Sequence, residues 1–375
     1  MLLPAYLLAL GHDGLAVGVL GTATLLGSAL ATLAVGTWGH HAAPRTLLLG
    51  AALLMAATGA AFAGFSTFAP LLVVAFLGTL NPGSGDVSVL LPLEHARLAG
   101  LARTSTERTT LFARYSLAGS LSAAFGALAV GVPAWLAPRA GWAMVDALRA
   151  MFVLYCAIGC VIWALYRRLP LPAAGTAPSA APTPLGPSRG VVIKLAALFS
   201  LDSFAGGLVL NSLVSLWLMQ RFGLTLAAAG AFFFWSGLLS AASQLVAPWL
   251  ARRIGLLNTM VFTHIPANLC LIAAALAPTL PLALGLLLVR SLLSQMDVPT
   301  RTAYVMSVVT PAERAAAASF TTVPRSLASA ASPALAGALF AAGWLATPLL
   351  LCGLLKIGYD LTLWRACRGH PLQGD

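Results

Sequence analysis

Four charged side chains lie well inside long apolar segments of this sequence, where charged groups are most able to do chemistry. Asp202, in FSLDSF, and Arg290 each lie about half-way along such a segment, and Arg114 and Arg325 lie inside two others. A charged group at bilayer depth costs about 3 kcal/mol even on a lenient insertion scale, so it persists only beside a partner or a water-filled cavity. These positions therefore predict where the functional site lies.

Polar residues at helical spacing extend the surface around these charges. One helix face of the Arg290 segment carries, at i, i+4, i+7 and i+11, Arg290, Ser294, Asp297 and Arg301. The next segment has a second polar stripe, formed by Thr322, Arg325, Ser329 and Ser332. Asn211 and Ser215 extend the polar surface of the segment that contains Asp202. The candidate substrate-binding residues are Arg290, Arg325, Asn211, Gln295 and Arg114.

Two roles are open for Asp202. As a proton-coupling group, it would be neutralised at one stage of a cycle, so that no unpaired charge crosses a dry interface. Arg290 or Arg325 would then bind an anionic or polar solute. In the alternative role, Asp202 and an arginine form a permanent ion pair that only ties helices together.

Two other polar features are predicted to be structural. Lys356 and Asp360 are four residues apart and are expected to pair within their own helix. His264, in FTHIPAN, is expected to be a hydrogen-bonded polar group between helices, not a proton relay.

The composition places the chain in a membrane. It is 59% hydrophobic and 8% charged, with a mean hydropathy of +0.91, whereas ordinary soluble domains have about 25% charged residues. Apolar runs of about 20 residues, each long enough to cross about 30 Å of hydrocarbon, recur from end to end. Because lipid cannot hydrogen-bond to the backbone, the spans should be helices. The net charge of +11 does not indicate nucleic-acid binding, since the basic residues are divided among short loops.

We predict eleven membrane spans and an apolar stub at 1–10. The spans are approximately 15–38, 46–64, 70–92, 107–132, 145–166, 191–219, 225–250, 257–277, 280–305, 313–341 and 345–366. Residues 167–190 contain six prolines and no apolar periodicity, so they should form an irregular linker. Basic residues collect in alternate loops and in this linker, which predicts that the linker and the C-terminus are cytoplasmic. The excess of Arg over Lys is typical of a GC-rich bacterial genome, so we expect the bacterial inner membrane.

The two halves of the sequence repeat each other. Four small or helix-breaking residues, Gly11, Gly18, Gly36 and Ala43, recur 212 residues later as Gly223, Gly230, Pro248 and Gly255. Two charged residues, Asp86 and Arg114, recur 211 residues later as Asp297 and Arg325. Duplication of a helical membrane protein is typical of secondary transporters, whose halves rock about a site between them.

The repeat also predicts a truncated first span. The second half begins its first span near Val191, so the matching span would begin about 20 residues before Met1. The stub MLLPAYLLAL would then be the outer end of that helix. A signal peptide is the alternative, but no basic leader precedes the stub and no small-residue cleavage site follows it. We therefore expect a mis-assigned start or a fragment.

Two loop sequences resemble a family signature. GTWGHHAAPR (36–45) and PWLARRIGLL (248–257) resemble diverged copies of the loop signature of the major facilitator superfamily, which is Gly, three residues, Asp, Arg, any residue, Gly and two basic residues. The positions that keep the pattern are Gly36, Arg45, Arg253 and Gly255. His40 and Arg252 stand where the family has an acid. The equal spacing, the span count and PAER (311–314) extend the resemblance over essentially the whole chain.

The resemblance implies an all-α membrane protein of two pseudo-symmetric six-helix bundles, 1–166 and 191–375, joined by the linker 167–190. A cavity between the bundles would open alternately to each side. In the family, an acid in the cytoplasmic third of such a helix pairs with basic loop residues and closes that side. Carried onto this chain, Asp297 would meet Arg252 or Arg253, and Asp86 would meet Arg45 or a protonated His41. The expected cytoplasmic gate is Gly36, His40, Arg45, Asp86, Arg252, Arg253, Gly255 and Asp297.

These features predict a secondary active transporter of a small molecule, not an enzyme. No nucleophile with its base, metal cluster or phosphate-binding loop stands at useful spacing, so no cofactor is expected. We expect a monomer that performs proton-coupled export and whose partners are substrate, protons and the lipid bilayer, with no nucleic acid. The fourth and fifth spans lack the basic residue and the Gly-Pro element common in the family's drug antiporters, although ASPALAG (331–337) is a partial echo of that element. Proton-coupled uptake of a metabolite, or an inactive truncated transporter, are the alternatives.

Overall fold

The described part of the chain is helical. A computed structural model describes residues 2–38, 43–80, 94, 105–168, 186, 188–309 and 313–368. Its helices are α1 (Leu2–Ala9), α2 (Gly14–Trp38), α3 (Pro44–Gly64), α4 (Phe68–Leu77), α5 (Ser105–Ala129), α6 (Val132–Ala140), α7 (Met144–Arg168), α8 (Arg189–Gly207), α9 (Asn211–Phe222), α10 (Leu226–Ile254), α11 (Leu256–Ala275), α12 (Leu280–Ser294), α13 (Asp297–Val308), α14 (Arg314–Ala341) and α15 (Thr347–Cys367). Seven segments of these ranges are long and apolar enough to cross a bilayer.

Two predicted spans are each divided into two helices. The span 191–219 breaks between α8 and α9, and the span 280–305 breaks between α12 and α13. Gly206 and Gly207 end α8, and glycine weakens a helix interior. Broken helices place helix ends and free backbone groups near the middle of a membrane, where transporters hold their sites. The prediction of two continuous spans is therefore wrong. The sequence signals of the breaks are Gly206 and Gly207 in one span and Pro299, two residues after Asp297, in the other.

The helices pack as two groups. In the first group, α3 packs along α7 and α2 packs against α4. In the second, α8 packs against α14 and α15, and α11 packs against α12, α13 and α15. Most of the predicted linker 167–190 lies outside the described residues. We call the membrane face where α7 ends and α8 begins the linker side, and the opposite face the far side.

Helices α2 and α14 join the two groups through a close contact of small residues. A Cβ atom on Gly18 would overlap the backbone of Pro333 and Gly337, and a Cβ atom on Gly337 would overlap Gly18. The Ala334 N–H donates to the Thr22 hydroxyl oxygen at 3.0 Å. Because α2 begins on the far side and α14 ends there, this contact closes the far side.

Helices α5 and α10 make the matching contact. A Cβ atom on Gly230 would overlap the Ala127 carbonyl, and the rings of Phe125 and Phe234 lie 5.8 Å apart. Gly18 and Gly230 are one of the pairs that recur at an offset of 212. The repeated glycine therefore has the same structural role in both halves, because it lets a helix of one group approach a helix of the other group on the far side.

On the linker side, one carboxylate joins the start of α8 to the start of α14. Glu313 is buried, and its carboxylate accepts hydrogen bonds from the Gly186 N–H and, at 3.4 Å, from the Ser188 N–H. A carboxylate at the first turn of a helix also faces the positive end of its dipole. Glu313 therefore fixes the end of the linker, next to the start of α8, to the start of α14.

We expect Gly337→Leu to open the far side. The leucine has no room against α2, so overpacking should separate the helices and cost about 1–3 kcal/mol of stability. A cysteine introduced at Thr22 in a cysteine-free variant should react several-fold faster with a membrane-impermeant maleimide. Gly358→Leu is the matched control, since a Cβ atom there meets nothing within 4 Å. Equal labelling rates in the parent, Gly337→Leu and Gly358→Leu proteins would contradict the assignment of this contact.

Candidate functional site

Asp202 is the centre of a buried ionic network in the second helix group. Its carboxylate accepts a hydrogen bond from Lys356 Nζ at 2.5 Å and another from Arg301 at 2.9 Å. The three side chains are only 6%, 10% and 8% exposed, respectively. They lie on α8, α15 and α13, so one carboxylate holds three helices together. Removing one partner of a buried ion pair costs several kcal/mol of stability, because it leaves an uncompensated charge in a dry interior.

Asp297 lies in the same network. Arg301 binds Asp297, one turn earlier in α13, as well as Asp202. Asp297 is the first residue of α13, where the positive end of the helix dipole favours a carboxylate. The prediction that Asp297 meets Arg252 or Arg253 is wrong for this structure, since both arginines are exposed at the end of α10. The break before Asp297 places its carboxylate beside Arg301 instead.

A second buried pair lies next to this network. His264 Nδ1 lies 3.0 Å from both carboxylate oxygens of Asp360, and both residues are buried. His264 is thus a hydrogen-bonded polar group between α11 and α15, as expected. The prediction that Lys356 pairs with Asp360 is wrong, because Lys356 reaches across to Asp202 and His264 takes its place at Asp360.

Arg325 lies beside the network without joining a carboxylate. Its Nε donates to the Ser203 hydroxyl at 3.2 Å, which is its one hydrogen bond among the residues that the structure describes. Its guanidinium carbon lies 6.0 Å from the centre of the Phe199 ring, and that of Arg301 lies 5.2 Å from the same ring. Phe199 therefore lies against two cations.

The remaining substrate-binding candidates lie apart from Asp202. Arg290 is partly buried, and its Nε has no hydrogen-bond partner among the described residues. Gln295 lies at the break between α12 and α13, Asn211 is exposed at the start of α9, and Arg114 is exposed on α5. Asp202 does pair with an arginine, as its alternative role expects, but that arginine is Arg301, and Lys356 is the second partner.

Part of the predicted gate can be placed. Gly36 lies near the end of α2, and Arg45 donates to the Arg167 carbonyl, which joins α3 to α7 within the first group. Gly255 connects α10 to α11 with φ of +86°, a backbone conformation that favours glycine. His40 and Asp86 lie outside the described residues.

Lys356 and Arg301 are the partners of Asp202 that the sequence did not indicate. Both were visible as charges inside apolar spans, and buried charges must be paired. Spacing along one helix favoured Asp360 as the partner of Lys356, and nothing in the sequence indicates which side chains face each other across helices.

Comparisons with known proteins agree with this architecture. The family model described as Major Facilitator Superfamily matches residues 1–333. An uncharacterized membrane protein of Saccharomyces cerevisiae, YJR124C, is 24% identical over 385 residues, which cover 92% of this chain and 85% of the yeast protein. Two solved structures are similar in fold. The nucleoside transporter NupG has a TM-score of 0.69 and 16% identity, covering 97% of this chain and 92% of its own. A D-xylose-proton symporter has a TM-score of 0.71 and 16% identity, covering 94% and 87%.

These similarities confirm the predicted fold class, an all-α membrane protein built as two six-helix bundles. The two helix groups described above are these bundles. The family model covers far more than half of the sequence. The chain therefore belongs to the major facilitator superfamily, a family of multi-pass membrane transporters.

Proposed function

We propose that this protein is a proton-coupled secondary transporter that exports a small molecule by alternating access, with Asp202 as the proton-coupling group. The proposal takes the protein to be a monomer of the bacterial inner membrane, with the linker side and the C-terminus in the cytoplasm. The observation that carries it is the position of Asp202, held between Lys356 and Arg301 at the junction of three helices.

The network has a property that suits a proton carrier. Protonation of Asp202 would take one carboxylate away from two cations, which is costly unless each cation has another. Arg301 already binds Asp297, and Lys356 lies one helical turn from Asp360 on α15. Both cations therefore keep a carboxylate within reach when Asp202 is neutral. A pair that only tied helices together would have no need of this second set of partners.

Protonation would also change which helices are joined. With Asp202 ionised, α8 is held to α13 and α15 at once. With Asp202 neutral, Arg301 returns to its own helix partner and Lys356 turns towards Asp360, so α8 is released. Because α8 packs along α14, and α14 makes the close contact with α2, the release of α8 would be transmitted to the interface between the bundles.

Among the proteins of this fold, the D-xylose-proton symporter carries proton coupling in its name, which supports a proton as the coupling ion. Export is supported by ASPALAG (331–337), the partial echo of the antiporter element, because its Pro333 and Gly337 form the close contact with Gly18. Proton-coupled uptake is the second candidate, and the same symporter is the observation that favours it.

We expect Asp202→Asn to uncouple transport from the proton gradient. The amide cannot take up a proton, so accumulation driven by a pH gradient should fall to the level without a gradient, while exchange of cargo across the membrane persists. The measurement is flux in proteoliposomes over a panel of nucleosides, pentoses, organic anions and dyes. Inverted vesicles give the direction.

Asp146→Asn is the control for that experiment, since it removes an exposed carboxylate at the start of α7. Full gradient-driven accumulation in Asp202→Asn, with normal pH dependence, would contradict the coupling role. Net uptake into cells, instead of into inverted vesicles, would replace export by the second candidate.

A double-mutant cycle measures the energy of the pair itself. Lys356→Met should destabilise the protein by about 3 kcal/mol, because it leaves a buried carboxylate short of a partner. Adding Asp202→Asn should restore part of that loss, with a coupling energy of about 1 kcal/mol or more. The measurement is unfolding in detergent by denaturant or heat. Strictly additive effects would show that the two side chains do not interact.

A further inference from the structure

Two partly buried cations of the second bundle, Arg290 and Arg325, bind no carboxylate among the described residues, and Arg325 is the one beside the Asp202 network. Asp202 is occupied by Lys356 and Arg301, and Arg301 also holds Asp297. Asp360 is occupied by His264. Arg325 therefore stands beside this network with only the Ser203 hydroxyl as a hydrogen-bond partner among the described residues.

We propose that Arg325 binds the carboxylate or phosphate group of an organic-anion substrate, and that Ser203 and Phe199 position its guanidinium for that purpose. This inference rests on the proposed function, since it names the substrate class of the same transporter.

The hydrogen bonding of Arg325 fits an acceptor with two oxygens. Ser203 takes the Nε–H at 3.2 Å, and the two terminal amino groups have no partner among the described side chains. A guanidinium whose terminal groups are free matches a carboxylate or phosphate bidentately, and such charge-assisted pairs are among the strongest hydrogen bonds in proteins. A neutral sugar or nucleoside would leave the charge uncompensated.

Phe199 and Ser203 form one support for the guanidinium. They are four residues apart on α8 and so lie on the same helix face. Phe199 is 1% exposed, and a cation within about 6 Å of a ring is attracted to its face. The ring and the Ser203 hydroxyl therefore both hold the Arg325 guanidinium from the same face of α8.

The position of Arg325 suits a substrate that must contact both bundles. Arg325 is eight residues from Pro333 along α14, or about 12 Å towards the linker side. Pro333 lies in the close contact that seals the far side against α2. An anion at Arg325 would therefore lie on the interface helix, directly on the linker side of the closed contact. It would also relieve the repulsion between Arg325 and Arg301 across Phe199.

The test is ligand-dependent thermal stabilisation of the purified full chain in detergent. The probes are benzoate, succinate, glucuronate and glycerol 3-phosphate, each compared with its neutral counterpart benzamide, succinamide, glucose or glycerol. We expect at least one anion, and none of the neutral compounds, to raise Tm by several degrees. Carboxylate against phosphate probes show which oxyanion the site prefers.

The variants separate binding from folding. Arg325→Gln should abolish the stabilisation, Arg325→Lys should weaken binding about tenfold, and Ser203→Ala should weaken it less than Arg325→Lys. Arg221→Gln, which removes an exposed cation at the end of α9, should bind as the parent protein does. If Arg325→Gln fails to fold, the Arg325→Lys and Ser203→Ala proteins carry the test.

Two results would overturn the inference: no anion that stabilises better than its neutral counterpart, or full stabilisation in the Arg325 variants. The assay needs no gradient and no compartments, so its failure is separate from a failure of proton coupling. Coupled transport of a neutral cargo would support the proposed function and contradict this inference. Anion binding together with unaltered gradient-driven transport in Asp202→Asn would support this inference and contradict the proposed function.

Discussion

A charge inside a bilayer must have a partner, and in the second bundle Asp202 is the partner that two cations share. Lys356 lies in the apolar centre of α15, and Arg301 lies in a half-helix that follows a break. Each cation would be energetically costly in the bilayer without a partner. The arrangement of α8, α13 and α15 therefore depends on one carboxylate. The break before α13 adds to this arrangement, because it places Asp297 at the start of a helix and beside Arg301. Removing charge at this point, by a proton or a mutation, therefore acts on helix positions and not only on local hydrogen bonds.

The frame around this network is duplicated and Asp297 recurs as Asp86, whereas the two cations of the network do not recur. Gly18 and Gly230 make equivalent contacts between the bundles, which gives the far side two similar seals. The positions 211 residues before Arg301 and Lys356 hold Leu90 and Val145, so the first half has no counterpart of these cations.

The sequence was sufficient for the membrane class, the helical fold, the duplication and the need of Asp202 for a partner, because these follow from composition, periodicity and the cost of buried charge. It was insufficient for the partners of Asp202. Helical spacing can place Arg290, Asp297 and Arg301 on one face, but the rotation of that face towards α8 is set by packing between helices. The break before Asp297 changes the register as well, and Pro299 in the first turn of α13 is its signal in the sequence. Lys356 was assigned to Asp360 by proximity in the chain, whereas the structure gives each a partner from another helix. The repeat singled out Gly18, but the sequence did not indicate that α14 packs against it.

Alternating access requires the two bundles to rock against each other, so that closure of one side opens the other. Double electron–electron resonance on cysteine-free protein in nanodiscs tests it most directly, with one spin-label pair at Thr67 and Thr279 on the far side and another at Thr46 and Ile254 on the linker side. When the pH is lowered in the presence of cargo, the account predicts that the far-side distance lengthens while the linker-side distance shortens. Distances that stay fixed, or that change in the same direction on both sides, would contradict it.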